Sequence, residues 1–167
     1  MSPRRIGGFT LVELMVTVVV LAILSAIAYP SFQGVIRSNR VVTTSNELLA
    51  SLALARSEAI KGIGAAGVCS SLDGATCATG TDWSGGWLVW REDRDASGVS
   101  RIAVRYRQGS SKVTVTGPAD ELEFTVQGRL DATTRTFQVE PSDATEPARC
   151  ILVNVTGQHR IIKGACA

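Results

Sequence analysis

The sequence has few of the groups that carry enzymatic chemistry. Its only histidine is His159, and no acid or nucleophile accompanies it in the arrangement of a catalytic triad. No glycine-rich phosphate-binding motif occurs, and the carboxylates are scattered along the chain. The sequence therefore predicts that the protein is not an enzyme, with no catalytic residue and no cofactor.

An excess of positive charge is also missing once the first eight residues are set apart. The chain has 17 basic and 15 acidic residues. Arg4 and Arg5 both lie within residues 1–8, and removing these two leaves 15 basic residues against 15 acidic ones. Bulk charge thus gives no reason to expect nucleic-acid binding, which would have to depend on a local patch.

Metal-binding patterns are incomplete. The segment Asp93–Gly98 has oxygen ligands at alternating positions and glycine at the sixth, like the start of a calcium loop, but Val104 stands at the twelfth position where a glutamate is needed. A polar hairpin turn fits this segment better. Cys150, His159 and Cys166 lack the close paired spacing of structural zinc sites. We therefore expect no metal site.

The N-terminal region, in contrast, contains a long apolar run. Phe9 to Tyr29 is 21 residues, or about 31 Å of helix, which matches a bilayer core of about 30 Å. Arg4 and Arg5 precede the run, so the positive-inside rule keeps the leader in the cytoplasm and exports the residues beyond the run. The sequence predicts a single-pass inner-membrane protein whose C-terminal domain is periplasmic.

Two features distinguish this run from an ordinary secretory signal. Gly7 and Gly8 precede the apolar run, whereas a secretory signal is cut after it, so cleavage here keeps the helix on the mature protein. Glu13 is the one charge inside the run, at a cost of at least about 2.5 kcal/mol near the bilayer centre. No Lys or Arg occurs between Arg5 and Arg37. We therefore expect an intermolecular partner for Glu13, such as the amino group that cleavage frees at Phe9 of a neighbouring subunit.

The segment Gly8-Phe9-Thr10-Leu11-Val12-Glu13 resembles the prepilin cleavage motif of the type IV pilin superfamily. The resemblance implies that a prepilin peptidase cuts between Gly8 and Phe9 and methylates Phe9, and that Glu13 acts in assembly. A helix proline recurs in the superfamily where this chain has Pro30. Because proline removes a backbone donor, Pro30 is expected to kink or loosen the helix.

Beyond Pro30, residues 31–62 keep a helical period. One apolar stripe is formed by Val41, Leu48, Leu52, Ala55 and Ala59, with Ser45 between, and it is widened by Leu49, Ala53 and Ile60. Gly62 and Gly64 are the stop signal. The pattern predicts one helix over 9–62, with its stripe packed on a following sheet.

The remainder alternates with period two between Gly, Asp and Ser clusters, which predicts short strands. These are Val68–Ser70, Gly86–Arg91, Arg101–Arg107, Lys112–Thr116, Leu122–Val126, Thr136–Val139, Cys150–Val155 and His159–Ile162. The predicted fold class is α+β, with a long N-terminal transmembrane helix packed on an antiparallel sheet. The predicted division is a leader at 1–8, a helix at 9–62 with its transmembrane and assembly segment at 9–29, and a periplasmic β-rich domain at 63–167.

Four cysteines in an exported domain indicate two disulfides, for which three connectivities exist. We favour Cys69–Cys77 and Cys150–Cys166, because each pair brackets a short loop.

Further segments resemble the GspH/FimT group of minor pilins and pseudopilins. They are Ser38–Arg40, Ser45–Leu49, Ala55–Ala59, Asp82–Trp83, Gly86–Val89 and Gly157–Arg160. The resemblance implies a minor pilin that enters a pilus or primes its assembly, with a place near the tip as one option. The alternative is a minor pseudopilin of a type II secretion system. The implied partners are other pilin or pseudopilin subunits, the prepilin peptidase and inner-membrane lipid.

The C-terminal residues 147–167 contain no Asp or Glu, and they include the basic residues Arg149, Arg160 and Lys163. Clusters of basic residues bind phosphates. Some FimT-like pilins are implicated in DNA uptake through a Gly-Arg-x-Arg motif, and the matching stretch here is Gly157-Gln158-His159-Arg160, with Gln158 in place of the first arginine. The candidate DNA-binding residues are Arg149, Gln158, His159, Arg160 and Lys163. A charged edge strand that blocks aggregation is the alternative interpretation.

Overall fold

The computed structural model describes residues 9–62, 64–96, 98–131, 133–143 and 147–166. The predicted leader, with Gly7 and Gly8, lies outside these residues. The chain divides into two compact units between residues 36 and 37, inside its helix. The second unit contains the rest of the helix and all of the strands.

The helix α1 spans Leu11–Lys61. It begins with a reciprocal cap, in which the Glu13 amide donates to the Thr10 hydroxyl (3.2 Å) and the Glu13 carboxylate accepts from the Thr10 amide (3.4 Å). Pro30 lies within α1, and a kink there stays a prediction. In the first unit, α1 is apolar and exposed from Leu11 to Tyr29.

In the second unit, the predicted stripe on α1 is confirmed. Its six residues are buried: Val41, Ser45, Leu48, Leu52, Ala55 and Ala59. Ser45 satisfies its hydroxyl by donating to the Val41 carbonyl (2.7 Å). The predicted widening is correct for Leu49, which packs against the core, and wrong for Ala53 and Ile60, which are exposed. Each of these two directly follows a buried residue, so it lies about 100° around the helix from the core.

Eight strands follow within the described residues, and each overlaps one of the predicted strands. They are β1 (Ala66–Ser70), β2 (Gly86–Asp95), β3 (Gly98–Gln108), β4 (Val113–Thr116), β5 (Leu122–Phe124), β6 (Arg135–Pro141), β7 (Arg149–Val153) and β8 (His159–Lys163). Asp95 pairs with Gly98 at the end of the β2–β3 hairpin, as expected for a polar turn, and Ser97 of the predicted turn lies outside the described residues.

The strands form two antiparallel sheets in the part of the chain that the structure describes, whereas the sequence predicted one. The first sheet has the order β3-β2-β1-β5 and the second the order β4-β6-β7-β8. The difference arises because strand alternation does not specify partners. Val68, for example, pairs with both Val89 and Leu122, which is 54 positions away.

One core joins the stripe of α1 to both sheets. Val68, Val89 and Phe124 come from the first sheet, and Phe137 and Ile151 from the second. Two tryptophans fix the packing through their indole groups. Trp87 donates to the Ser51 hydroxyl of α1 (2.9 Å), and Trp83 lies edge-on to Phe137 with centroids 5.0 Å apart. The Trp87–Ser51 hydrogen bond therefore ties the second half of α1 to the first sheet.

Both predicted disulfides are present in the structure. Cys69 is joined to Cys77 and Cys150 to Cys166, with Cα separations of 5.5 and 5.0 Å. The first ties β1 to the following loop, and the second ties β7 to the residues after β8.

Candidate assembly segment and basic strand edges

The apolar segment Leu11–Tyr29 is exposed on all sides within its own unit. Its mean hydropathy is 2.6 and none of it is buried in the chain. Phe9, the predicted methylation site, is 79% exposed. Among the described residues, this is the one helical segment long and apolar enough to cross a membrane. A continuous apolar surface of this size calls for lipid or other helices as its surroundings.

Glu13 is the one charged residue of this segment, and the structure gives it a local partner. Its carboxylate lies 3.4 Å from both the amide and the hydroxyl of Thr10, the residue that follows Phe9. Both of these long contacts use the same carboxylate oxygen. A carboxylate accepts several hydrogen bonds, so Glu13 keeps the capacity for a further donor. The predicted partner in another subunit is thus compatible with the local cap.

The five candidate DNA-binding residues form two groups at the two ends of the β7–β8 pair. Gln158, His159 and Arg160 line a cavity of about 330 Å³ together with Leu152 and Asn154. Arg149 and Lys163 are direct cross-strand partners at the other end of the pair. Leu152 pairs with Arg160, and because residues three apart on a strand lie on opposite faces, Arg160 and Lys163 face opposite ways, whereas His159, four residues before Lys163, lies on the face of Lys163.

A tight turn displays the first of these groups. Gly157 has φ +75°, and a side chain there would place its Cβ 2.2 Å from the Gly128 carbonyl oxygen. Arg56 of α1 donates from Nε to the Gly128 carbonyl (2.9 Å) and from Nη2 to the Thr156 carbonyl (3.1 Å). Two of the segments that resemble the GspH/FimT group, 55–59 and 157–160, therefore meet here. The sequence did not predict this contact.

A second basic edge was missed from the sequence, although its signal was present. Residues 96–119 contain no Asp or Glu and have four basic residues: Arg101, Arg105, Arg107 and Lys112. Three of the four lie on β3, which is an edge strand of the first sheet.

Two of the three β3 arginines are held by carboxylates. Arg101 lies 3.9 Å above the Trp90 ring centroid and pairs with Glu121 at 2.8 Å. Arg107 pairs with Glu47 of α1. Within the described residues, Arg105 has no carboxylate partner.

Acidic residues gather at the opposite edge of the first sheet. Glu121, Glu123 and Asp131 line a cavity of about 200 Å³ with Arg135. Burial raises the pKa of the Glu123 carboxyl, and the positive charge of Arg101 cancels only part of this rise. Among the described residues, no group of three or more His, Cys, Asp or Glu side chains is arranged to hold a metal ion.

The chain matches two protein-family models. The model described as Type II transport protein GspH matches residues 44–157, and the model described as prokaryotic N-terminal methylation motif matches residues 3–29. No curated protein matches the chain.

Solved structures of pilin-like proteins share the fold. The type IV minor pilin FimU of Pseudomonas aeruginosa is 25% identical with a TM-score of 0.57, over 75% of this chain and 90% of FimU. The minor pseudopilin EpsH from the Type 2 Secretion System of Vibrio cholerae is 16% identical with a TM-score of 0.53, over 74% of this chain and 97% of EpsH. The EpsH likeness concerns the fold alone. The GspH model matches more than half of the length of this chain, and the chain shares the α+β fold of FimU. The chain therefore belongs to the GspH family of type IV pilin-like proteins.

Proposed function

We propose that this protein is a minor type IV pilin, held in the inner membrane by residues 9–29 before it enters the pilus. It joins the pilus near the tip or helps to start assembly. The observation that carries the proposal is the exposed apolar segment Leu11–Tyr29 with Glu13 near its start. Lipid covers this surface first, and the equivalent helices of neighbouring subunits cover it in the pilus through close apolar contact.

Processing precedes assembly in this proposal. The prepilin peptidase cuts between Gly8 and Phe9 and methylates Phe9, which the match of the methylation-motif model over residues 3–29 supports. Mass spectrometry of the protein from purified membranes tests this step. We expect a chain that begins at methylated Phe9, and a chain that retains residues 1–8 would contradict it.

Glu13 sets the register of the subunit in the pilus. Its carboxylate is held near the start of α1 by Thr10 and accepts from the amino group of Phe9 on a neighbour. Inside an apolar bundle an unpaired carboxylate is costly, so a subunit in the wrong register is disfavoured.

The test replaces Glu13 and follows the subunit in two fractions. Glu13→Ala should leave the amount in membranes unchanged and lower the amount in sheared pili by about tenfold, equivalent to about 1.4 kcal/mol. Thr17→Ala is the matched control, since the Thr17 hydroxyl donates to the Leu14 carbonyl of its own helix. Normal incorporation of Glu13→Ala would refute the role of Glu13.

A minor pseudopilin of a type II secretion system is the alternative. The 25% identity to the minor pilin FimU supports the pilus. Deletion of the gene separates the two, because a pilus subunit should affect surface pili and leave protein secretion intact. Loss of secretion with intact pili would support the alternative. Neighbouring pilus or secretion genes give an independent indication.

DNA contact is a second candidate function, favoured by the grouping of Gln158, His159 and Arg160 around one cavity on an acid-free edge. We expect the full chain in detergent micelles to shift duplex DNA at low salt, and Arg160→Gln to weaken binding severalfold. Lys163→Gln should weaken it less, because Lys163 faces the other way. Gln158→Arg adds a phosphate contact and should strengthen binding and its salt dependence. Absence of binding by all of these proteins would refute this function.

A further inference from the structure

The two sheets have four edge strands, and the chain's own backbone covers two of them. At β5, the Asp131 amide donates to the Glu123 carbonyl (3.2 Å), and Phe124 forms a bridge with Leu130. At β4, the Trp83 amide donates to the Val115 carbonyl (2.8 Å). In the part of the chain that the structure describes, this leaves β3 and β8 as the open edges.

Strand β3 is the longer open edge, with eleven residues from Gly98 to Gln108. No backbone partner lies along its outer side among the described residues. Most of its residues are exposed, and a bulge at Val104 separates Arg105–Gln108 from the first half of the strand. Open edges of this length present a row of unpaired amides and carbonyls on which another chain can add a strand.

The half of β3 that follows the bulge borders a groove. The groove has a volume of about 490 Å³ and lies between α1 and β3, lined by Glu47, Ala50, Ser51, Arg105, Tyr106 and Arg107. Arg105 pairs with Val89 and Arg107 with Trp87, so both arginines lie on the face of the sheet that packs against α1. Glu47 already holds Arg107, and Arg105 is the groove arginine without a carboxylate partner among the described residues.

The geometry selects the chemistry of an added strand. Alternate side chains of such a strand point into the groove, and one of them lies about 5 Å from Arg105 as its cross-strand neighbour. A carboxylate at that position completes a charge pair, while a basic residue is repelled. With no acidic residue between Asp95 and Asp120, the surrounding strand also favours a negative partner.

We propose that β3 accepts an extended acidic segment of a neighbouring, different filament subunit as an added strand, with a carboxylate paired to Arg105. The proposal rests on the proposed function as a filament subunit. A second copy of this chain fits poorly, because both of its open edges are basic and its acidic strand β5 is already covered. Opposed like charges disfavour the edge-to-edge pairing of identical copies.

The test uses the full chain in detergent micelles and fluorescent eight-residue peptides, read by anisotropy. In the first peptide glutamate alternates with valine and threonine. The second has glutamine for glutamate, the third has the first sequence with N-methylated backbone amides, and the fourth has lysine for glutamate. We expect the first to bind, the second to bind about tenfold more weakly, and the third not to bind.

Variants of Arg105 then locate the site. Arg105→Gln and Arg105→Glu should weaken binding of the glutamate peptide, Arg105→Glu by about tenfold or more, and Arg105→Glu should gain binding of the lysine peptide. Arg94→Glu is the matched control, because it makes the same change of charge on an exposed residue of β2, away from the edge. It should change binding less than twofold.

Three results would overturn the proposal. They are equal weakening by Arg105→Glu and Arg94→Glu, equal binding of the N-methylated peptide, and duplex DNA that binds through Arg105 in place of peptide. None of these depends on pilus incorporation. A failure here with the expected Glu13→Ala result refutes strand addition alone, whereas normal incorporation of Glu13→Ala refutes the proposed assembly role.

Discussion

Two stretches of the same helix are rich in apolar residues and are used in different ways. From Leu11 to Tyr29 the apolar side chains point in all directions and none is buried within the chain. From Val41 to Ala59 they form one stripe, which lies in the core with both sheets. Uniform apolarity therefore indicates a surface for lipid or other chains, while a 3.6-residue period indicates a helix that packs on its own domain.

The sharpest test of this difference is one substitution made in each stretch. Leu48→Ala removes a fully buried side chain and should lower the free energy of unfolding by about 3–5 kcal/mol. Leu21→Ala, at a residue that is 62% exposed, should change it by less than about 0.5 kcal/mol. Urea unfolding of the full chain in micelles, followed by the fluorescence of buried Trp83 and Trp87, measures both. Similar losses would contradict the comparison.

The unit that contains the second stretch, residues 37–167, also has both disulfides, whereas residues 1–36 contain no cysteine. Replacing Cys150 and Cys166 by serine should cost about 3 kcal/mol. Replacing Cys69 and Cys77 should cost about 0.6 kcal/mol less, because their loop spans 8 positions and the other 16. The same unfolding experiment gives both values. A larger loss for the shorter loop would show that loop closure is not the main contribution.

Polar groups differ between the two stretches as well. Arg56 bonds two distant carbonyls, whereas Ser25 bonds the Leu21 carbonyl of its own turn. Arg56→Gln should lower the free energy of unfolding by about 1.5–3 kcal/mol, since hydrogen bonds from a charged group are lost. Ser25→Ala is the control and should have almost no effect. Equal stability of the two variants would indicate that Arg56 does not anchor the turn at Gly157.

The smallest expected effect concerns charge within the domain. The folded state raises the pKa of Glu123 above its usual 4.5, so its ionisation lowers stability as pH rises through the folded-state pKa. Glu123→Gln should therefore be more stable than the wild type at pH 7, by less than about 1 kcal/mol because the group is partly exposed. The difference should vanish below pH 4.5. Unfolding curves at pH 7 and pH 3.5 test this, and a destabilised variant at pH 7 would reverse the sign.

The elements were predictable because their signals are local. The stripe from Val41 to Ala59 follows the helical period, and the strands follow two-residue alternation between turn residues. The two disulfides were predictable because each closes a short loop. Within the helix, Ala53 and Ile60 were predicted wrongly as part of the buried stripe. Each follows a buried residue, and the next residue along a helix lies about 100° around its axis, where it can face solvent.

The arrangement of the strands could not be predicted in the same way. Nothing in the residues of β1 specifies that it lies between β2 and β5, or that the sheets are two. The candidate site divided for the same reason, since Arg149 and Arg160 are near in sequence and face opposite ways once the register is known. The open edge at β3 likewise depends on which strands are covered, which is a property of the whole fold.

The buried stripe of α1 also has a consequence for the order of events during synthesis. Its residues are made before any of the strands that cover them, and Val153 follows Val41 by 112 positions. At a synthesis rate of about 5–20 residues per second, the last residues that bury the stripe are made roughly 5–20 s after its first residue. During that interval the nascent chain presents an apolar helix face without a partner, so aggregation and proteolysis have their best opportunity before Phe137, Ile151 and Val153 arrive.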